Sequence, residues 1–142
     1  MRIFDSFAIR DTAIKQPDPE VGWVDCSKIT HLAFGVENDL NQNVSIQPIG
    51  RVGGAEGNLG SATTVNANSN GIVNVNLDSY WASAISVTIT AASAPSSGVI
   101  TVNAITREKA DVSLTEITEL LKGVRQEFSM LRQSLTQKLT QK

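Results

Sequence analysis

Hydrophobic and polar residues alternate with a period of two along several short stretches between residues 28 and 106. Because successive side chains of a strand point to opposite faces, each alternating stretch predicts a strand with one apolar face. Asparagine, serine, proline and glycine fill the segments between these stretches, as is typical of turns. The alternation predicts strands at 28–36, 44–49, 62–67, 72–77, 85–91 and 99–106, and residues 3–9 are a further candidate.

Turn residues separate the predicted strands at short intervals. The clearest reversals are at 38–43, 68–71 and 95–98. Short strands at this spacing favour an antiparallel β-sandwich of the jelly-roll or immunoglobulin-like type, for which we predict bounds of 21–107. Pro17 and Pro19 lack the amide hydrogen that a strand ladder uses, so residues 1–20 are predicted to form an N-terminal arm or an edge strand.

The apolar residues after residue 113 repeat in steps of three and four, which is the spacing of a heptad. Ser113 and Glu116 have the spacing of a capping box, so the helix should begin at about Leu114. We predict a long C-terminal amphipathic helix that forms a coiled coil, within an oligomerisation segment at 108–142. Its apolar seam consists of Leu114, Ile117, Leu121, Val124, Phe128, Leu131 and Leu135.

The residue types in the seam bear on the number of chains in the coil. Leucine at the first core position of the heptad, with β-branched Ile117 and Val124 at the second, favours three or four parallel helices over two. Glu127 and Arg132 have the spacing of an interchain ion pair in a parallel coil. A homotrimer is therefore predicted. In the alternative arrangement the same stripe packs along the protein's own β-domain, and Leu120 and Leu139, outside the seam, widen the apolar face accordingly.

Ionisable residues narrow the range of functions. The 142 residues include 12 Lys and Arg against 14 Asp and Glu, so the chain lacks the basic surface that nucleic-acid binding needs. With Cys26 as the one cysteine and His31 as the one histidine, neither an internal disulfide, nor a Cys/His zinc site, nor a catalytic relay can be assembled. We therefore expect no enzyme activity, cofactor, metal or nucleic-acid partner. Apolar runs are too short for a signal peptide or a membrane span, which predicts cytoplasmic synthesis and no membrane partner.

The glycine-rich run at 50–60 invites comparison with a phosphate-binding loop. Such a loop ends in Gly-Lys-Ser/Thr and leads into a helix, whereas this run leads into the predicted strand at 62–67. Gly53, Gly54 and Gly57 are therefore predicted to lie in a surface loop that is mobile or contacts a partner.

Trp23, Tyr80 and Trp81 are candidates for an aromatic platform that contacts a sugar or a protein partner. Tyr80 and Trp81 lie in a turn just before the predicted strand at 85–91, where aromatic rings often close the end of a sandwich core. Core closure is the prediction for these rings, and a ligand or partner contact is the alternative.

The residues Tyr-Trp-Ala-Ser-Ala-Ile-Ser-Val-Thr-Ile-Thr at 80–90, followed by Pro-Ser-Ser-Gly-Val-Ile-Thr-Val at 95–102, resemble the closing hairpin of head-decoration, fibre and tail-tip modules of tailed phages. Uncharged strands rich in Ser, Thr and Asn that carry an oligomerising helix are similar to the same virion structural proteins. The resemblance implies an assembly role in the virion, in which the β-domain binds a repetitive lattice of capsid or tail subunits and the helix joins copies. The alternative is a carbohydrate- or receptor-binding β-sandwich module.

Overall fold

The computed structural model describes residues 1–109 and 114–140, and within the helix it describes side chains from 119 to 135. The chain forms two compact units, Met1–Lys109 and Ala110–Lys142. The first unit contains strands and the second contains a helix. The elements are β1 (Arg2–Phe7), β2 (Val24–Asp25), β3 (Ile29–Asn38), β4 (Val44–Val52), β5 (Ala55–Asn58), β6 (Thr63–Val65), β7 (Ser69–Val75), β8 (Ala84–Ala91), β9 (Ile100–Glu108) and α1 (Leu114–Thr140).

The strands form two antiparallel sheets. The first sheet has the order β1-β9-β3-β7, and the second has the order β2-β8-β4-β5, with β6 pairing β4 beside β5. The chain changes sheet at most of its connections, so strands that are neighbours in a sheet are usually distant in sequence. The predicted fold class is confirmed at this level: the protein is mainly β and antiparallel, with a C-terminal helix.

Buried side chains from both sheets form one hydrophobic cluster. Leu32, Phe34 and Val36 alternate along β3 and are at most 3% exposed, as the period-two pattern predicts. The strand β8 differs because it is buried on both faces: Ser86 and Thr88, on the face away from Val87, are also buried. The hydroxyl of Ser86 donates to the carbonyl of Gly22, so the segment before β2 covers this face.

Strand β4 is longer than predicted and continues through a proline. Pro48 has no amide hydrogen, yet its carbonyl accepts a hydrogen bond from the amide of Leu59 at 2.8 Å. The amide and carbonyl of one strand residue point to the same side, so the missing donor of Pro48 faces residues 59–62, where β5 has ended and β6 has not begun. The interruption between these two short strands therefore accommodates the proline.

The N-terminal residues belong to the first unit. Strand β1 pairs with β9 at the edge of the first sheet, and Ile3, Phe4 and Ile9 are at most 7% exposed. Further along, the backbone of Lys15 exchanges hydrogen bonds of 2.8 and 3.1 Å with Ile89. The boundary that the sequence suggested at residue 20 therefore does not separate two compact units, because the residues before it pair with both sheets.

The helix α1 spans 27 residues, which corresponds to about 40 Å at 1.5 Å per residue. Strand β9 continues to Glu108, so the first unit ends slightly beyond the predicted boundary at 107. The capping box predicted at Ser113 lies outside the described residues. Within the part of the chain that is described, no helix combines the length and apolar character that crossing a membrane requires.

Candidate functional site

The heptad seam of α1 is exposed wherever its side chains are described. Residues three and four apart lie on one face of a helix, so the seam forms a continuous apolar stripe. The exposed fractions run from 51% to 65%. The side chains of Leu114 and Ile117 lie outside the described residues. The five described members are Leu121, Val124, Phe128, Leu131 and Leu135.

Two further apolar residues of the helix are exposed. Leu120 is 70% exposed and flanks the seam in the heptad, and Met130, 69% exposed, lies on the outer face of the helix. Beside Leu120, Gly123 leaves a shallow open groove of about 490 Å³ between Glu119 and Glu127. A stripe of large apolar side chains with this exposure is typical of a surface that contacts a partner.

Trp81 is the second prominent feature, on the first unit. It is 93% exposed, so the prediction that it closes the core is wrong. It follows a turn in which the side chain of Asn76 accepts a hydrogen bond from the amide of Asp78 at 3.1 Å. Tyr80 and Ala82, on either side of Trp81, are partly buried against the hydrophobic cluster. Core closure therefore describes Tyr80, whereas the indole of Trp81 faces solvent.

Two glycines lie next to the residues that flank Trp81. Gly60 has φ of +68°, and a Cβ atom at this position would collide with the hydroxyl of Tyr80. On β4, a Cβ atom on Gly50 would lie 3.1 Å from the Cβ of Ala82. The two glycines therefore leave the space in which Tyr80 and Ala82 pack, while Trp81 between them is exposed.

Two depressions border the segment around Trp81 and share part of their lining. The larger is an open groove of about 540 Å³ lined by Trp81, Tyr80, Asp78, Val52, Leu77, Ala82 and Ser83. The smaller, of about 230 Å³, lies against Cys26, Thr30 and Lys109 and shares Leu77, Asp78, Tyr80 and Ala82 with the first. Sequence reasoning did not single out Val52 or Asp78 as contact residues, because the pairing of β4 with β8 is what brings Val52 beside Ser83 and the groove.

Trp23 is in a different environment from Trp81. The guanidinium of Arg51 lies 4.0 Å from the centroid of the Trp23 ring, a cation–π contact. Arg51 also pairs with Glu56 at 3.2 Å and donates to the carbonyl of Pro19 at 3.3 Å. One face of Trp23 is therefore occupied by this cluster, and Trp23 is not among the residues that line the Trp81 groove. The structure does not bring the three predicted aromatics into one platform.

The glycine-rich run forms an exposed hairpin, which corrects the prediction of a surface loop for Gly57 alone. Gly53 and Gly54 are the two turn residues between β4 and β5, and Gly53 has φ of +59°. Gly57 lies within β5 and pairs with Gly50. The predicted strands end before this run because glycine has no side chain to signal alternation. All four residues of β5 are exposed, so the hairpin stays available for contact.

The isolated cysteine and histidine have ordinary surroundings. Cys26 is half-buried, and burial raises the pKa of its thiol, so it stays protonated at neutral pH. His31 is exposed, with Nδ1 2.9 Å from the hydroxyl of Thr30. Within the described residues, no three His, Cys, Asp or Glu side chains are grouped so as to hold a metal ion.

The carboxylates of the N-terminal region stabilise turns. Backbone amides of Val21 and Glu20 donate to Asp18 and lower its pKa, and the amide of Ser27 does the same for Asp25. The pKa of Asp11 is lowered by its contact with Lys15. These groups therefore organise local backbone.

At the level of class, the chain is a mainly β protein of two antiparallel sheets with a C-terminal amphipathic helix. No protein-family model matches it, and neither a curated protein nor a solved structure does. The resemblance to virion structural proteins therefore stays a prediction.

Proposed function

We propose that this protein is a non-enzymatic structural protein, a virion component of the capsid-decoration or fibre type. It forms a homo-oligomer through α1 and binds a repetitive lattice of capsid or tail subunits through its β unit. The observation that carries the proposal is the exposed heptad seam of α1. A helix with a continuous apolar stripe gains stability when that stripe is covered.

The energy available from the seam supports association. Fully burying a Leu, Val or Phe side chain that was exposed contributes about 1.5 to 3 kcal/mol. The five described seam residues are between 51% and 65% exposed, so covering each contributes about 1 kcal/mol per chain. Several chains contribute together, which offsets the entropy lost on association.

The composition of the seam favours a parallel trimer. Leu121 and Leu135 occupy the first core position and Val124 occupies the second, a combination that disfavours dimers. Glu127 of one helix would pair with Arg132 of the next, and as an exposed pair this contributes at most about 1 kcal/mol. The pair therefore sets the register of the coil more than its stability.

The β unit supplies the lattice-binding surfaces in this proposal. We take its two sheets, which share one hydrophobic cluster, to be the layers of a β-sandwich with a jelly-roll strand order. Joining three such units multiplies weak contacts through avidity, by a factor of about 10² to 10⁴ when the sites are spaced to match. A repetitive lattice offers binding sites at regular spacing, so it is the kind of partner that this arrangement binds most tightly.

Light scattering on a sizing column tests the proposal, using the full chain and a truncation that ends at Lys109, where the first unit ends. We expect the full chain at about three times its monomer mass of 15.2 kDa and the truncation as a monomer. If both are monomers, self-association through the helix is refuted and the alternative, a helix packed on its own β unit, is favoured. If both are oligomers, the β unit carries the interface and the role given to α1 is wrong.

A further inference from the structure

We propose that the groove beside Trp81 binds the pyranose ring of a neutral carbohydrate. The inference goes beyond the assembly role, because the groove lies within the first unit and uses none of the seam residues. It follows from the juxtaposition of a free indole face, an apolar floor formed by Val52, Leu77 and Ala82, and the carboxylate of Asp78.

The indole of Trp81 is exposed to solvent, whereas the residues on either side of it pack against the core. At 93%, its exposure is the highest among the large hydrophobic side chains that the structure describes. Tyr80 packs next to Gly60 and Ala82 packs next to Gly50, so both neighbours of the exposed ring contact the rest of the first unit. The face of an aromatic ring carries partial negative charge and attracts the polarised C–H groups on one face of a pyranose.

The polar groups of the groove match the hydroxyl groups of such a ring. Asp78 is exposed and, among the described residues, no donor side chain is hydrogen-bonded to its carboxylate. An ionised carboxylate accepts up to four hydrogen bonds, so it can receive adjacent sugar hydroxyls. Its charge disfavours acidic sugars, which restricts the ligand to neutral ones. The hydroxyl of Ser83 donates to the carbonyl of Arg51 at 2.7 Å and keeps its acceptor capacity toward the groove.

The surroundings of Trp81 favour a sugar over a protein surface. A stable protein interface covers roughly 800 Å² on each partner and has an apolar centre. Along the loop Trp81 is accompanied by exposed Asp78, Ser79 and Ser83, so polar groups border the apolar part of the groove. A groove of about 540 Å³ falls within the range of small-ligand sites.

The experiment uses the full chain with Trp23→Phe, so that tryptophan fluorescence reports on Trp81 alone. The probes are neutral oligosaccharides of glucose, galactose, mannose and N-acetylglucosamine, screened on an array and then titrated to millimolar concentration. We expect at least one neutral oligosaccharide to bind and to change the Trp81 emission. A sialylated oligosaccharide of the same core should bind more weakly.

Matched variants locate the binding. Trp81→Ala should weaken binding of that oligosaccharide roughly tenfold or more, and Trp81→Phe should restore part of it because a smaller aromatic face remains. Asp78→Ala should also weaken binding. The control is Ile72→Ala, which trims a side chain that is 71% exposed on the first sheet and should change nothing. Circular dichroism confirms that the variants stay folded.

Three results would overturn the proposal. The first is that no neutral oligosaccharide binds, and the second is that binding persists in Trp81→Ala. The third is that acrylamide quenches Trp81 much less in the full chain than in a Leu121→Asp variant, because a second copy then occupies the groove. The Leu121→Asp variant also distinguishes this inference from the proposed assembly role. It should still bind the sugar, because the groove does not depend on association of the helices.

Discussion

The side chain of Asn38 is completely buried at the end of β3, where the sequence suggested only a turn residue. Its Nδ2 group donates to the carbonyls of Gln42, Val65 and Asn66 at 3.1, 3.3 and 3.0 Å, and its Oδ1 accepts from the amide of Leu40 at 3.1 Å. One amide therefore satisfies backbone groups of the adjacent turn and of a distant segment, and a buried group of this kind is costly to alter.

Asn38→Asp should destabilise the first unit by about 3 kcal/mol at neutral pH, because a carboxylate would face three carbonyl oxygens. These neighbours and burial raise the folded-state pKa of the new carboxyl above its unfolded value of about 3.9. The penalty should therefore be smallest below that unfolded pKa and should grow as pH rises through the folded pKa. Urea unfolding of both proteins at pH 4 and pH 7 measures the difference.

The control is Asn74→Asp, an exposed position on β7, which should change the free energy of unfolding by less than about 0.5 kcal/mol. Equal effects of the two substitutions, or a penalty for Asn38→Asp that does not depend on pH, would show that the buried hydrogen bonds contribute little.

At the scale of elements, β1 contributes to the core of the first unit. Its two phenylalanines are close, with ring centroids 5.6 Å apart, but Phe4 is 7% exposed and Phe7 is 37% exposed. Because it places one ring in the core and the other near solvent, β1 is an integral edge strand of the sheet. An arm that becomes ordered only on assembly would not contribute to the core in this way.

Phe4→Ala should cost about 3 kcal/mol of unfolding free energy, because it leaves a cavity in the core. Phe7→Ala should cost about 1 kcal/mol, since its ring is already partly in water. Chemical denaturation of the 1–109 truncation measures both values without any contribution from α1. Similar small costs for the two variants would indicate that β1 detaches easily from the sheet.

The seam of α1 can be tested by a single charge. Leu121→Asp places a carboxylate in a core layer of every helix in the coil, where burial of unpaired like charges is strongly unfavourable. We expect a monomer by light scattering and loss of lattice binding, while the unfolding midpoint of the β unit stays the same. Gln126→Asp adds the same charge at an outer heptad position and should leave the oligomer intact. An oligomer that survives Leu121→Asp would contradict the assignment of the seam.

At the scale of the whole molecule, the two units should respond differently to concentration. Most of the stability of a protein helix comes from packing of its apolar face, and when a second copy supplies that packing the stability depends on concentration. We expect the helical signal at 222 nm to fall on dilution and on heating, and the β transition to keep its midpoint. A helical signal that is independent of concentration would contradict stabilisation by self-association.

The periodic elements could be predicted from the sequence because their signals are local. Alternation in β3 and β8 and the heptad after residue 113 depend only on nearby residues, and the structure places strands and a helix there. Strand β5 could not be predicted in this way. Its residues, Ala-Glu-Gly-Asn, have no alternation, and they form a strand because Gly53 and Gly54 turn the chain back onto β4.

The candidate site could be predicted only in part, because it depends both on local sequence and on tertiary contacts. The sequence placed Tyr80 and Trp81 in a turn, and in the structure they directly follow one. Their exposure differs: Tyr80 packs into the space that Gly60 leaves, while Trp81 is exposed to solvent. The contact of Trp23 with Arg51 joins residues 28 positions apart, so no local pattern could reveal it.

By itself, the sequence determined the class of the elements, since hydrophobic periodicity and turn chemistry act within a few residues. Only the tertiary structure decided the sheet order, the burial of Asn38, the hairpin at Gly53 and the exposure of Trp81. Each of these features depends on contacts between segments that are distant in the sequence. Burial and hydrogen bonding are completed by whichever strand the fold brings alongside, and local sequence patterns do not specify that strand.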